Sequence, residues 1–92
     1  MTTLNLKQMK AGLKKIKSWS SAPAAISRTY EFKDFPAAIA FVNQVADLAE
    51  QAYHHPDIDI RWNKVTLVLT THDAGGLTNK DFMIAQQFDR LA

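Results

Sequence analysis

Apolar and polar positions along this chain fall into segments of two different periods. Leu6, Met9, Leu13 and Ile16 recur at 3-4-3 spacing with Lys7, Lys10 and Lys14 on other faces, which predicts a helix over residues 4–16. Ser18-Trp19-Ser20-Ser21-Ala22-Pro23 breaks that period and reads as a short strand or turn. Residues 25–33 then alternate, with Ile26, Tyr30 and Phe32 on one side and Ser27, Thr29 and Glu31 on the other. That is the pattern of a half-buried strand, although Arg28 interrupts its apolar side.

Asp34-Phe35-Pro36 opens the strongest helical segment. Asp34 can cap it, and Pro36 is tolerated in the first turn. Phe35, Ala38, Ile39, Val42, Val45, Ala46 and Ala49 form one apolar stripe, and Phe41, Leu48 and Ala52 widen it on one side. An arc near half the helix exceeds what one sheet face needs, so the flank is expected against a second element or a second subunit. Pro56 ends the helix, because the residue before a proline is pushed out of helical angles. Ile58–Trp62 alternates as a strand, Asn63-Lys64 is expected to turn, and Val65–Thr71 completes a hairpin. Gly75-Gly76 reads as a further turn. Thr78-Asn79-Lys80-Asp81 has the form of a capping box and starts a last helix with Ile84, Ala85, Phe88 and Leu91 as its core stripe.

The expected fold is therefore α+β in two layers. A four-stranded antiparallel sheet carries three helices on one face, in the order α-β-β-α-β-β-α. The other sheet face would be open in a monomer, which argues for an oligomer.

Composition narrows the class. Ninety-two residues form one small domain, 1–92, whose thin core again favours association. A 47% hydrophobic and 22% charged chain is an ordinary soluble globular one. The absence of cysteine excludes disulfides and thiolate metal sites. No apolar run approaches the roughly 20 residues of a membrane span, and the start lacks the features of a signal peptide. A cytoplasmic protein without membrane contact is expected. The net charge of +2 hides an asymmetry, since residues 1–30 contain six basic and no acidic side chains. Without interleaved aromatics, this basic third reads as a solvated helix face, and no direct nucleic-acid binding is expected.

The candidate chemistry lies in the histidines. All three occur at the ends of predicted elements: His54 and His55 before Pro56, and His72 after the hairpin's second strand. Glu50 stands four residues before His54, a spacing at which the two can meet if the helix reaches that far. Asp81 begins the last helix. Imidazoles poised near neutrality and flanked by carboxylates can supply an acid and a base together, as an elimination or hydration requires. Plainer roles remain open at each position. Histidines near helix ends serve as dipole partners, Asp81 can be the acid of the capping box, Glu50 a solvated charge, and Trp19 and Trp62 packing residues. Zinc is the sharper rival, but there is no His-x-x-x-His or His-x-His pair, so no metal is expected.

Taken together, Glu50-x3-His54-His55-Pro56-x5-Trp62-x9-His72-x8-Asp81 resembles the signature of the pterin-4a-carbinolamine dehydratases, whose animal members are also dimerisation cofactors of a homeodomain transcription factor. Phe32-Lys33-Asp34-Phe35, Trp62-Asn63-Lys64-Val65, Thr71-His72 and Gly76-Leu77-Thr78 are similar as well, so the resemblance covers about residues 30–90. It implies dehydration of 4a-hydroxytetrahydropterin to quinonoid dihydropterin and water, without metal or cofactor, in a homodimer or homotetramer. The reaction recycles the cofactor of aromatic amino acid hydroxylases, a possible functional link. His54, His55 and His72 are implied as the acid-base set, with Glu50 and Asp81 supporting. His54, His55, Pro56, Thr71, His72, Asp73 and Ala74 are implied to line the pterin site. Before residue 30 the resemblance is weak: Trp19 follows Ser18, where the family commonly has glycine. Lys80 replaces an arginine of the animal members, which keeps the charge and loses the planar fork. The alternatives are a non-catalytic dimerisation module and a dehydratase for a different pterin.

Overall fold

The structure is a computed structural model and describes residues 4–71 and 74–92. His72 and Asp73 lie outside the described residues. Seven elements follow in order: α1 (Leu6–Lys15), β1 (Ser20–Ala22), β2 (Ala25–Glu31), α2 (Phe35–Ala52), β3 (Asp57–Arg61), β4 (Lys64–Leu69) and α3 (Asn79–Leu91). The strands form one antiparallel sheet in the order β1-β2-β4-β3. The α+β architecture expected from periodicity is the observed one.

Local chemistry explains the boundaries. Asn5 and Gln8 cap α1 reciprocally, each side chain accepting the other's backbone N–H. Asp34 accepts the Ala37 N–H at 2.9 Å and starts α2, with Pro36 in the first turn. Two-residue turns join β1 to β2 at Pro23-Ala24 and β3 to β4 at Trp62-Asn63. The second turn lies one residue earlier than expected. Trp62 takes the positive φ of 52°, and the Asn63 side chain turns inward to donate to the Phe32 carbonyl.

Register divides the sheet into two unlike faces. Ile26 with Leu69, Arg28 with Leu67 and Ile58, and Tyr30 with Val65 and Ile60 point toward the helices. Val65, Leu67 and Leu69 are buried there beneath Ala38, Phe41, Val45 and Ala49 of α2 and Ile84, Ala85 and Phe88 of α3. The opposite face carries Ser27, Thr29, Glu31, Lys64, Thr66, Asp57, Asp59 and Arg61, with Val68 among them. Thr29 and Thr66 hydrogen-bond across it at 2.7 Å. A polar face needs no cover, so the open face is not by itself an argument for an oligomer.

Several side chains depart from the expected pattern. The buried line of α2 is Ala38, Phe41, Val45 and Ala49, while Phe35 and Ala46 are exposed. The stripe is therefore rotated toward the side that carries Phe41 and Ala52. Helix α1 buries none of its residues fully, and Leu6 is exposed. It lies against α3, where a Cβ on Gly12 would come within 2.8 Å of the Phe82 ring. Arg28, anomalous on an apolar strand face, reaches Asp89 of α3 at 2.7 Å and stacks over the Tyr30 ring at 4.4 Å. Trp19 is buried as a packing residue and also donates its indole N–H to Asp89. Trp62, expected to pack, is 68% exposed, because it occupies the tip of a hairpin. Among the described residues no helix is long and apolar enough to cross a membrane.

Candidate active site

The site is built where the end of α2, the end of β4 and the start of α3 meet. Helix α2 closes at Ala52, and Tyr53 takes left-handed angles with φ 51° and ψ 39°. The His54 N–H then bonds the Ala49 carbonyl at 3.1 Å. This is the ordinary stop signal of a helix, but glycine or asparagine usually fills it. A bulky residue there costs about 1–2 kcal/mol. The turn sends His54 inward and leaves His55 outside.

That turn rearranges the expected pairs. Glu50 and His54 do not meet, because the helix stops before His54. His54 Nε2 instead lies 2.5 Å from Asp81 Oδ1, and the pair is buried: His54 is 8% exposed and Asp81 0%. Glu50 Oε2 meets His55 Nε2 at 2.9 Å, with both side chains exposed. The first pair is shielded from water and the second is solvated, so only the first holds a ring firmly.

Asp81 is the hub. Its Oδ1 receives His54, and its Oδ2 receives the Thr71 hydroxyl at 2.8 Å and the Thr78 backbone N–H at 2.9 Å. The capping-box reading of Asp81 is correct as far as it goes, since the carboxylate does accept the N-cap N–H. Its other oxygen serves the histidine. An ionised carboxylate only accepts, so the His54 proton sits on Nε2 and Nδ1 is the basic nitrogen of the neutral ring. Nδ1 has no hydrogen-bond partner among the described residues.

Thr71 is held in place by a two-way backbone bridge to Gly76, with N–O distances of 3.1 and 3.3 Å. Ala74 follows in a turn and donates its N–H to the Thr71 carbonyl. Gly75 carries the positive φ of 73° that lets this short loop close. Pro56 and Ala74 are half-buried. A cavity of about 200 Å³ abuts His54 and is also lined by Ala52, Lys80, Met83, Ile84 and Gln87. Lys80 thus stands beside the candidate base.

The structure brings together His54, Thr71 and Asp81, separates His55 and Glu50 from them as an exposed pair, and leaves His72 and Asp73 outside the described residues. Thr78, Met83 and Gln87 are near the site without having been anticipated. For Thr78 a signal existed: an N-cap threonine three residues before a buried acid stands within reach of it.

Comparisons with known proteins show the family and the fold. The sequence profile of the family described as Pterin 4 alpha carbinolamine dehydratase matches residues 2–91. A provisionally named pterin-4-alpha-carbinolamine dehydratase of Roseiflexus sp. (strain RS-1) is 53% identical over 98% of this chain and 97% of its own. One so named from Nocardia farcinica (strain IFM 10152) is 51% identical over 100% of this chain and 99% of its own. Among solved structures, a transcriptional coactivator/pterin dehydratase from Brucella melitensis superposes with a TM-score of 0.94 at 32% identity, covering 99% of both chains. A pterin dehydratase-like protein described as a RuBisCO assembly factor in the alpha-carboxysome shares the fold, with a TM-score of 0.68 at 23% identity over 80% of this chain and 86% of its own. The match extends well before residue 30, where the signature residues alone carried little. On the profile and on relatives about half identical along its whole length, this chain belongs to the pterin 4 alpha carbinolamine dehydratase family.

Proposed function

We propose that this chain dehydrates a 4a-hydroxytetrahydropterin to quinonoid dihydropterin and water. The observation that carries the reading is the buried His54–Asp81 pair, formed by two residues of the family signature. The C4a–O bond breaks, the departing hydroxyl takes up a proton and leaves as water, and N5 loses its proton as the C4a–N5 double bond forms. No electrons are exchanged, so the protein must only move and place protons. His54 exchanges a proton at Nδ1, while Asp81 keeps the opposite nitrogen protonated and stabilises the imidazolium. This is the role a buried carboxylate has beside a catalytic histidine. His55 with Glu50, and His72, complete the acid-base set. Pro56, Thr71, Asp73 and Ala74 border the pterin, and Lys80 lies near it. The protein acts without metal or cofactor, in the cytoplasm, and serves a tetrahydropterin-dependent hydroxylase.

Two copies or four are expected to act together. β3 is a sheet edge, and its inward-facing Ile58 and Ile60 are 39% and 37% exposed. An unpaired edge with half-covered apolar residues is a pairing surface. The exposed Phe35 and Ala46 of α2 favour a second reading, a dimerisation module akin to the transcriptional coactivator that the Brucella relative is described as.

The test is the decay of chemically generated 4a-hydroxytetrahydropterin. The wild-type protein should accelerate it, and His54→Ala should remove about 10²–10⁴-fold of that acceleration. Decay at the uncatalysed rate with wild-type protein would overturn the dehydratase reading and leave the module.

A further inference from the structure

Two hydroxyls behind Asp81 have no part in the proton transfers above. Thr71 and Thr78 are both buried, and their Oγ1 atoms lie 2.9 Å apart. Taken alone, that contact has no direction, since either hydroxyl could donate. The neighbouring carboxylate decides it. Thr71 Oγ1 also lies 2.8 Å from Asp81 Oδ2, and an ionised carboxylate accepts only. A hydroxyl has one proton, so Thr71 donates it to Asp81. The remaining contact then requires Thr78 as donor to Thr71. The chain runs one way: Thr78 hydroxyl to Thr71 hydroxyl to Asp81 Oδ2.

This direction has a consequence at the other end of the carboxylate. Oδ2 holds two donors, the Thr71 hydroxyl and the Thr78 backbone N–H, while Oδ1 receives His54. A carboxylate held this way is fixed in rotation, with Oδ1 turned to Nε2 of His54. It therefore demands a proton on Nε2 of His54. Remove the Thr71 hydroxyl, and Asp81 loses a neutral donor that no water replaces in a buried site. Oδ2 then keeps only the Thr78 N–H, the carboxylate is free to rotate away from Nε2, and the imidazole becomes free to populate its other tautomer.

We infer that Thr71 is a positioning residue, with Thr78 orienting it, and that the two hydroxyls hold His54 in the Nε2–H tautomer through Asp81. The catalytic consequence rests on the dehydratase reading, whereas the tautomer does not. Thr71 is thereby more than a border of the pterin site. Its only proton is committed to Asp81, so it cannot donate to a substrate.

The test is the ¹⁵N spectrum of the histidine rings, combined with dehydration kinetics, in wild-type protein, Thr71→Val, Thr71→Ser and Thr78→Val. In the wild type, His54 should show one protonated Nε2 and one unprotonated Nδ1. Thr71→Val should give averaged shifts that report both tautomers. Its kcat should fall about 10-fold with KM within about two-fold, and Thr71→Ser should restore both readouts. Thr78→Val keeps the backbone N–H and should move the tautomer in the same direction by less. It serves in place of Thr71→Val should that variant not fold. A single Nε2–H tautomer in every folded variant would overturn the inference, whatever happens to stability. So would a Thr71→Val that raises KM alone, because Thr71 would then contact substrate. If the wild type shows no dehydration but the tautomer responds as stated, the dehydratase reading fails and the positioning role stands.

Discussion

Helix α3 carries two carboxylates that gather donors from across the molecule, and they differ in what they hold. Asp81, at its first turn, receives His54, Thr71 and the Thr78 N–H and is fully buried. Asp89, two turns later, receives the Trp19 indole, the Arg28 guanidinium and the Tyr30 hydroxyl, the last at 2.5 Å. Each ties α3 to segments distant in sequence. The donors around Asp89 keep their protons at neutral pH: arginine is always charged, and burial with Asp89 beside it pushes the Tyr30 hydroxyl well above its ordinary range. That hub is a clamp. The hub at Asp81 has a histidine among its donors, the one side chain suited to exchanging a proton near neutrality. The two hubs share an architecture, and a single donor, His54, is what the proposed chemistry needs in one and lacks in the other.

Breaking the clamp should cost stability and little else. Asp89→Asn removes the charge opposite Arg28 and puts an amide NH2 in place of one acceptor oxygen, and about 2 kcal/mol of unfolding free energy should be lost in urea. The side chains at Asp89 and Arg28 are about a quarter exposed, so the loss stays below that of a fully buried pair. The remaining folded protein should dehydrate at the wild-type rate within about two-fold, since Asp89 lies away from His54.

A smaller effect separates the clamp by pH. The folded state raises the Tyr30 pKa above its ordinary value of 10.0, so folding favours the protonated phenol. That contribution is fully present below about pH 10 and is lost as pH rises past it. Between pH 9 and 11 the melting temperature of the wild type should fall more steeply than that of Tyr30→Phe. Parallel curves would remove Tyr30 from the clamp's energetics.

The smallest effect belongs to the exposed pair. Glu50→Gln should change stability by less than about 0.5 kcal/mol, because a solvated ion pair contributes little. Thermal unfolding at two salt concentrations checks it. A larger loss would mean that Glu50 is covered in the assembled protein.

How far the sequence foretold these hubs follows from the range of their contacts. Element order, the caps at Asp34 and Thr78 and the β3–β4 hairpin depend on signals within a few residues, and all were legible. The clamp was not, because Arg28 and Asp89 are 61 residues apart. Arg28 showed only as an interruption in an apolar face. The pairing at the site was misplaced for a similar reason. Spacing of four favoured Glu50 with His54, and no glycine or asparagine at position 53 signalled the left-handed turn that separates them. The rotation of the α2 stripe had another cause: an apolar arc that wide does not say which part of it the sheet will cover. The family resemblance did select His54 and Asp81 together, but it could not say that they touch or which ring nitrogen is involved.

The most direct test of the two-hub account is the dehydration rate of Asp81→Asn beside that of Asp89→Asn, each corrected for its folded fraction. Asp81→Asn replaces the acceptor of the His54 Nε2–H and should slow dehydration about 10³-fold. Asp89→Asn should stay within about two-fold of the wild type. Equal losses in the two variants, or full activity in Asp81→Asn, would contradict the division of α3 into a chemical hub and a structural one.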